Sequence, residues 1–149
     1  MEIAFAPTIY IDNDKTFEQA MATLDTVASK YPIRFYARVT KIDDKYKEIL
    51  KRFDSVTKND RNILARSWNK AIEKGFKDGC EFVIIPNLDL KLFNYTIDNL
   101  VDFAKDDDSV MWSGRCINTG AVYPEGDFVV NSYTVYDNFA FPMIGKRLS

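Results

Sequence analysis

The sequence predicts an α/β fold in which one mostly parallel sheet carries helices on both faces. Three observations lead there. Phe82 to Ile85 is a continuous apolar run, the pattern of a strand buried on both faces, and it passes at Pro86 directly to Asn87 and Asp89. Arg66 to Gly79 reads as a helix that enters this run through a glycine turn. Ile3 to Val39 reads strand, helix, strand, the order of a βαβ unit. A carboxylate delivered at the C-terminal exit of a central strand is the usual site-building device of open α/β sheets.

Each element has its own signal. Ile3 to Ile11 is apolar and β-branched, with Pro7 expected at a bulge or near the exit because proline donates no ladder bond. Asp12-Asn13-Asp14 breaks the strand, and a capping box of Thr16 with Gln19 opens a helix running to about Lys30. Phe17, Met21, Leu24, Ala28 and Tyr31 fall at helical spacing, and Tyr31-Pro32 ends the helix. Ile33 to Val39 alternates, so the face carrying Arg34, Tyr36 and Arg38 is expected to be partly solvated. Asp43 to Phe53 is a short helix burying Tyr46, Ile49, Leu50 and Phe53, and Asp54 to Asp60 is a short strand or loop able to lie over a ligand.

Asn59 or Asp60 caps the next helix, whose apolar stripe is Leu64, Trp68, Ala71, Ile72, Gly75 and Phe76, with Gly79 in a left-handed position at its end. After the central strand, Asn94 caps a helix with Ile97, Leu100, Val101 and Ala104 facing inward, and Asp106 to Asp108 form a solvated turn. Val110 to Ile117 is a further strand, and Phe128 to Tyr136 pairs with it as a hairpin across Gly120, Pro124 and Gly126. Asn138 to Leu148 is a short helix or strand. No repeat or linker divides the 149 residues, so residues 1–149 are read as a single domain.

Composition excludes several functions. A net charge of −2 with no basic stripe argues against nucleic acid as partner. No apolar run approaches the roughly 20 residues that span a bilayer, and the N-terminus lacks the basic region of a signal peptide. Cys80 and Cys116 match no zinc spacing and read as two free thiols, although a disulfide between them stays open; a cytoplasmic location is expected. The chain has no histidine, which removes Ser-His-Asp, Cys-His and His-ligated zinc chemistry. Any metal must be oxygen-bound, which suits magnesium or manganese.

The order Arg66, Asn69, Ala71, Gly79, the run Phe82 to Ile85 and the tip Asn87-Leu88-Asp89 resembles the GT-A nucleotide-sugar transferases, in particular the family 2 glycosyltransferases. Element order extends the likeness from Met1 to Leu148, with its specific part between Arg66 and Val101. The tip departs from that family's DXD-type motif by carrying Asn at its first position. The resemblance implies a three-layer α/β/α, Rossmann-like GT-A fold and transfer of a sugar from a nucleoside-diphosphate carrier to an unknown acceptor. It implies that Asp89 takes a divalent cation, manganese or magnesium, which neutralises the departing diphosphate. Asn87 and Leu88 would hold the donor beside it, the Asn supplying a weaker carbonyl ligand than a carboxylate.

Pro7, Tyr10 and Asp12, at the end of the first strand, would line the nucleotide pocket: a tyrosine ring stacks on a base, and a carboxylate accepts from a base N–H or a ribose hydroxyl. Lys41 and Asp43 at the second strand's exit, with Arg38, are similar candidates. Arg66 and Asn69 lie off the apolar stripe of their helix; Arg66 suits a bidentate phosphate contact. Trp112, Gly114 and Arg115 end a later strand and are candidates for the acceptor or the sugar. In the resembled family the catalytic base comes from a later segment, and Asp137 to Leu148 resembles the stretch before it. No base is identifiable, Asp127 and Asp137 being the remaining carboxylates, so the chain is expected to be a truncated or short relative. A catalytically silent nucleotide-sugar-binding or assembly module is the alternative, and a homo-oligomer is compatible with either. A nucleotidyltransferase is disfavoured, because no glycine-rich phosphate loop follows the first strand.

Overall fold

A computed structural model describes residues 1–106 with their side chains and, beyond them, the backbones of four short strands at residues 111–113, 116–118, 134–136 and 143–146. The candidates Gly114, Arg115, Asp127 and Asp137, the acidic residues Asp107 and Asp108, and the side chains of Trp112 and Cys116 lie outside the described residues.

The first strand is interrupted where proline requires it. β1 (Ile3–Phe5) and β2 (Thr8–Ile11) flank Ala6-Pro7, and both pair in parallel with β3 (Ile33–Ile42). At the break Ala6 N–H donates to Ile84 O at 2.9 Å, and Pro7, with no N–H, accepts from Arg38 N–H at 3.1 Å. β4 (Ser55–Lys58) also runs parallel to β3, and the central strand β5 (Phe82–Ile85) runs parallel to β1. β9 (Met143–Lys146) lies antiparallel between β5 and β6 (Met111–Ser113). β7 (Cys116–Asn118) and β8 (Thr134–Tyr136) form the expected antiparallel hairpin, as a separate two-stranded sheet. The single strand expected over Val110 to Ile117 is therefore two, in different sheets.

Both faces of the main sheet are covered, which explains why β1 and β5 are apolar at every position. Ile3, Phe5, Phe82 and Ile84 pack with Ala20 and Leu24 of α1 (Asp14–Asp25), Tyr46 and Ile49 of a 3-10 segment (Asp44–Arg52), and Ile97, Val101 and Ala104 of α3 (Thr96–Lys105). The alternate residues Ala4, Ala6, Val83 and Ile85 pack against Ala71, Trp68, Ile72 and Phe76 of α2 (Leu64–Lys77). The result is a three-layer α/β/α arrangement around a mostly parallel sheet. Among the described residues no helix is long and apolar enough to cross a membrane.

Several local expectations change. α1 is capped by Asn13, whose side chain accepts from Thr16 N–H at 2.9 Å, so the box is Asn13 with Thr16. The helix stops at Asp25 because the chain beyond it binds other partners. The Thr26 hydroxyl donates to Thr23 O, and Ser29 Oγ and Lys30 N–H donate to the Asp98 carboxylate of α3. β3 runs three residues longer than expected, and Tyr36 is buried under α2 at 4% exposure. The N-cap of α2 is Ile63, without a side-chain bond, because the Asn59 amide is engaged elsewhere. α3 begins after Tyr95 with no side-chain cap from Asn94. Gly79 has φ 92°, the left-handed conformation expected at the end of α2.

At the base of β5, Tyr36 Oη donates to Asp78 Oδ2 at 2.8 Å, and Lys74 Nζ donates to the same oxygen at 3.1 Å. Burial and then the Asp78 bond push the Tyr36 phenol up to about 12. The Tyr36 hydroxyl, followed by Lys74, holds Asp78 below its ordinary 3.8. A lowered acid stabilises the fold above its ordinary value and a raised phenol stabilises it below 10, so the pair's contribution is complete between 3.8 and 10. It is lost as pH falls through the lowered Asp78 value and as pH rises from 10 through about 12. In denaturant titrations across pH, Asp78→Asn should make the acid limb of stability shallower and Tyr36→Phe the alkaline limb.

Candidate functional site

The C-terminal exits of β2, β3 and β5 open into one cleft of about 400 Å³. β2 supplies Thr8 and Tyr10 to it, β3 supplies Thr40, and the β5 exit supplies Pro86, Asn87, Leu88 and Asp89. Thr16 and Gln19 from the first half of α1 line it as well, as do Asn62 and, from α2, Leu64 and Trp68. Of the donor-binding and metal candidates, Tyr10, Asn87, Leu88 and Asp89 are thus brought together.

The others stand apart. Pro7 is buried at the β1–β2 break and shapes the strand without lining the cleft. Asp12 follows β2, accepts from Asn13 Nδ2 at 3.0 Å and faces Lys41 Nζ at 3.9 Å. Lys41 also lies 5.7 Å from the centre of the Tyr10 ring, so Tyr10, Lys41 and Asp12 form one group at the rim. Asp43 follows β3 and starts the 3-10 segment, its carbonyl accepting from Tyr46 N–H. Asn69 is exposed on α2, and Arg66 lines a second cleft described below.

Asp89 is exposed, and its carboxylate makes no hydrogen bond or ion pair among the described residues. It is a free negative charge at the mouth of an otherwise neutral lining. No group of three or more Asp, Glu or Cys residues able to hold a metal occurs among the described residues. The donor set therefore suits a cation that arrives with a phosphorylated ligand and keeps water, as magnesium does with one or two carboxylates plus phosphate. Among the described residues it offers too few carboxylates for a cation held by protein alone.

Two features of the site escaped sequence reasoning. The β2–β3 register skips Thr40 between Val39 and Lys41, a bulge next to the cleft at a residue that also lines it. A one-residue register shift leaves no mark on an alternating sequence. Thr23 of α1 and Thr26, which caps its end, hold the chain after Asp89: Thr23 Oγ1 accepts from Leu90 N–H at 3.1 Å, and Thr26 Oγ1 accepts from Leu92 N–H at 3.1 Å. Thr23 is almost fully buried and also donates to Gln19 O at 3.0 Å. Thr23→Val keeps the shape but leaves Leu90 N–H without its acceptor, so a loss of about 1 kcal/mol is expected in denaturant unfolding. Faster hydrogen exchange at residues 88–92 should accompany it. Leu64 and Trp68 were placed on the core stripe of α2 by their spacing; Trp68 packs there and also lines the cleft, whereas Leu64 overhangs the cleft half exposed.

No protein-family model matches the chain, and no curated protein does. Solved structures do. The mannosyltransferase PcManGT from Pyrobaculum calidifontis, in complex with GDP-Man and Mn2+, is similar at TM-score 0.56 and 15% identity, over 74% of this chain and 34% of that one. S. aureus TarS 1-349 is similar at TM-score 0.67 and 12% identity, over 98% of this chain and 47% of that one. Its complex with UDP-GlcNAc gives 0.62 and 14%, over 84% and 37%. A 4-diphosphocytidyl-2C-methyl-D-erythritol synthase is similar at 0.55 and 13%, over 97% and 74%. The chain spans less than half the length of either glycosyltransferase. Identities this low establish architecture alone, and on that ground the chain has the GT-A fold of nucleotide-sugar transferases.

Proposed function

We propose that the strand-exit cleft binds a nucleoside-diphosphate sugar and that the chain is the donor-binding part of a glycosyltransferase. The observation that carries this reading is the convergence of a free carboxylate, Asp89, with Asn87 and the exposed ring of Tyr10 at one strand-exit cleft. Similar solved structures hold GDP-Man with Mn2+ and UDP-GlcNAc, which supports the choice of ligand.

In this reading the Tyr10 ring, 48% exposed, stacks on the base, with Lys41 and Asp12 beside it. Pro7 sets the course of β2 beneath the base, and Asp43 offers an acceptor at the neighbouring strand exit. Asn87 and Leu88 hold the ribose and diphosphate side. Asp89 would hold the manganese or magnesium ion. When bound, that ion supplies charge neutralisation for the departing diphosphate. The lining side chains Trp68, Leu64, Gln19 and Thr16 restrict water around the sugar.

The test is thermal unfolding with UDP or GDP, with and without manganese. A ligand at 100 times its Kd adds about 2.7 kcal/mol of stability, a rise of several degrees. No rise with either nucleotide at saturating manganese contradicts the reading. Tyr10→Ala should weaken nucleotide binding about tenfold, the typical worth of one base-stacking ring. Isothermal titration measures it.

A second reading, a silent nucleotide-sugar-binding module, is favoured by Asn87 standing where the resembled motif has a carboxylate. It predicts nucleotide binding with no donor hydrolysis and no transfer.

A further inference from the structure

A second cleft of about 390 Å³ is lined by Arg38, Asn59, Asp60, Arg61, Arg66 and Lys70. It gathers four cationic side chains around one carboxylate, in a chain whose net charge is −2. Like charges drawn together repel, and here they are not neutralised locally. The side chains of Arg61 and Arg66 make no hydrogen bond or ion pair among the described residues. Among the described residues Lys70 reaches only Glu73, at 3.7 Å on the exposed side of the helix.

Arg38 is different in kind, because it is built in. Its Nη1 donates to Thr57 Oγ1 at 2.9 Å and its Nη2 donates to Asn59 Oδ1. Its Nε is buried and has no partner, an unpaired donor on a guanidinium fixed at two other points. Leaving such a donor unmade is costly, so a ligand acceptor is the natural complement.

A polar wall separates this cleft from the one holding Asp89. Asn59 Nδ2 donates to Thr40 Oγ1 at 3.0 Å and to Ser67 Oγ at 3.2 Å, and Ser67 Oγ lies 2.7 Å from Thr8 Oγ1. Thr8 and Thr40 line the first cleft, and Arg38 and Asn59 line the second. The cationic cleft is therefore a site in its own right, with no carboxylate tip of the Asp89 kind.

We propose that the second cleft binds a phosphate group, held by the forked donors of Arg38, Arg61 and Arg66 and by the point charge of Lys70. Guanidinium pairs match the oxygens of phosphate bidentately, and four cations favour a dianion over a single carboxylate. The phosphate has two chemical sources: a phosphate-bearing acceptor, or the diphosphate of a donor reaching across the wall. The site does not depend on the donor reading of the first cleft.

Binding of inorganic phosphate and pyrophosphate to the whole chain, measured by isothermal titration in EDTA, tests it. Without metal the Asp89 cleft, whose lining carries a carboxylate and no Lys or Arg, repels a bare diphosphate, so the result speaks for the second cleft. Binding is expected, unchanged in Asp89→Asn and at least tenfold weaker in the double variant Arg66→Gln, Lys70→Gln. Both replaced residues are exposed, so the variant should keep its far-ultraviolet circular dichroism. Repeating the titration with UDP and manganese present identifies the source: additive binding marks a phosphate-bearing acceptor, and mutual displacement marks the donor's own diphosphate. Absence of phosphate and pyrophosphate binding at millimolar concentration overturns the proposal, as does undiminished binding in the double variant. A missing UDP–manganese response with intact pyrophosphate binding would overturn the donor reading alone.

Discussion

Asp89→Asn is expected to weaken manganese-dependent binding of UDP or GDP roughly 100-fold, about 2.7 kcal/mol, while leaving the fold intact. The side chain is exposed and has no protein partner among the described residues, so nothing in the core depends on its charge. Its replacement is nearly isosteric. What disappears is the free carboxylate among the residues lining the strand-exit cleft, and ligand charge is one of the terms that sets cation affinity. The variant should match the parent in thermal stability without ligand and lose most of the rise produced by nucleotide with manganese. Asn87→Asp is the reciprocal change: it adds a carboxylate two residues away and should tighten manganese-dependent binding. If Asp89→Asn binds nucleotide and manganese as the parent does, Asp89 is only the end of a strand.

Gly75→Val is expected to cost about 3 kcal/mol or more of folding stability. A Cβ at Gly75 would stand 2.5 Å from Val83 Cγ2 and 3.1 Å from Ala4 Cβ, inside the contact between α2 and the two central strands. Gly75→Ala makes the same point with less force. Alanine is the better helix former by about 1 kcal/mol, so an exposed site would gain stability. Here the alanine variant should lose it, because Val83 and Ala4 belong to a packed layer and have little room to yield. A denaturant midpoint for Gly75→Ala at or above the parent's would contradict the close approach of α2 to β5 at this position.

Much of the architecture was legible because the apolar pattern differs by layer. A strand apolar at every position, Phe82 to Ile85, has both faces covered, and it pairs with β1 between them. Gly79 announced the end of α2 because a left-handed residue there favours glycine. Pro7 marked the break in the first strand for an equally local reason. Tertiary partners decided what failed. Ala28 and Tyr31 continue the helical spacing of Leu24, but Asp98, 68 residues from Lys30 in sequence, takes the Lys30 N–H. Arg34, Tyr36 and Arg38 alternate like a partly solvated face; Arg34 and Arg38 keep that character, while Tyr36 is buried under α2 with its hydroxyl on Asp78.

The candidate site divides in the same way. Tyr10 and the Asn87 to Asp89 tip were candidates because strand exits are where α/β sheets place ligands, and they line one cleft. Arg66 was recognised as a phosphate-type residue, but its neighbours Arg38 and Arg61 meet it only through the packing of β3, β4 and α2. Thr8, Thr40, Asn59 and Ser67 carry no motif at all. Each is an ordinary polar residue until the fold joins them into the wall between two clefts.

Amide hydrogen exchange of the whole chain, with and without UDP and manganese, tests the central claim at the residues concerned. Slower exchange is predicted in segments 8–12 and 87–92, at the two strand exits that carry Tyr10 and Asp89, and the effect should vanish in Asp89→Asn. Unchanged exchange in both segments under saturating nucleotide and metal, or protection confined to other parts of the chain, would contradict the account.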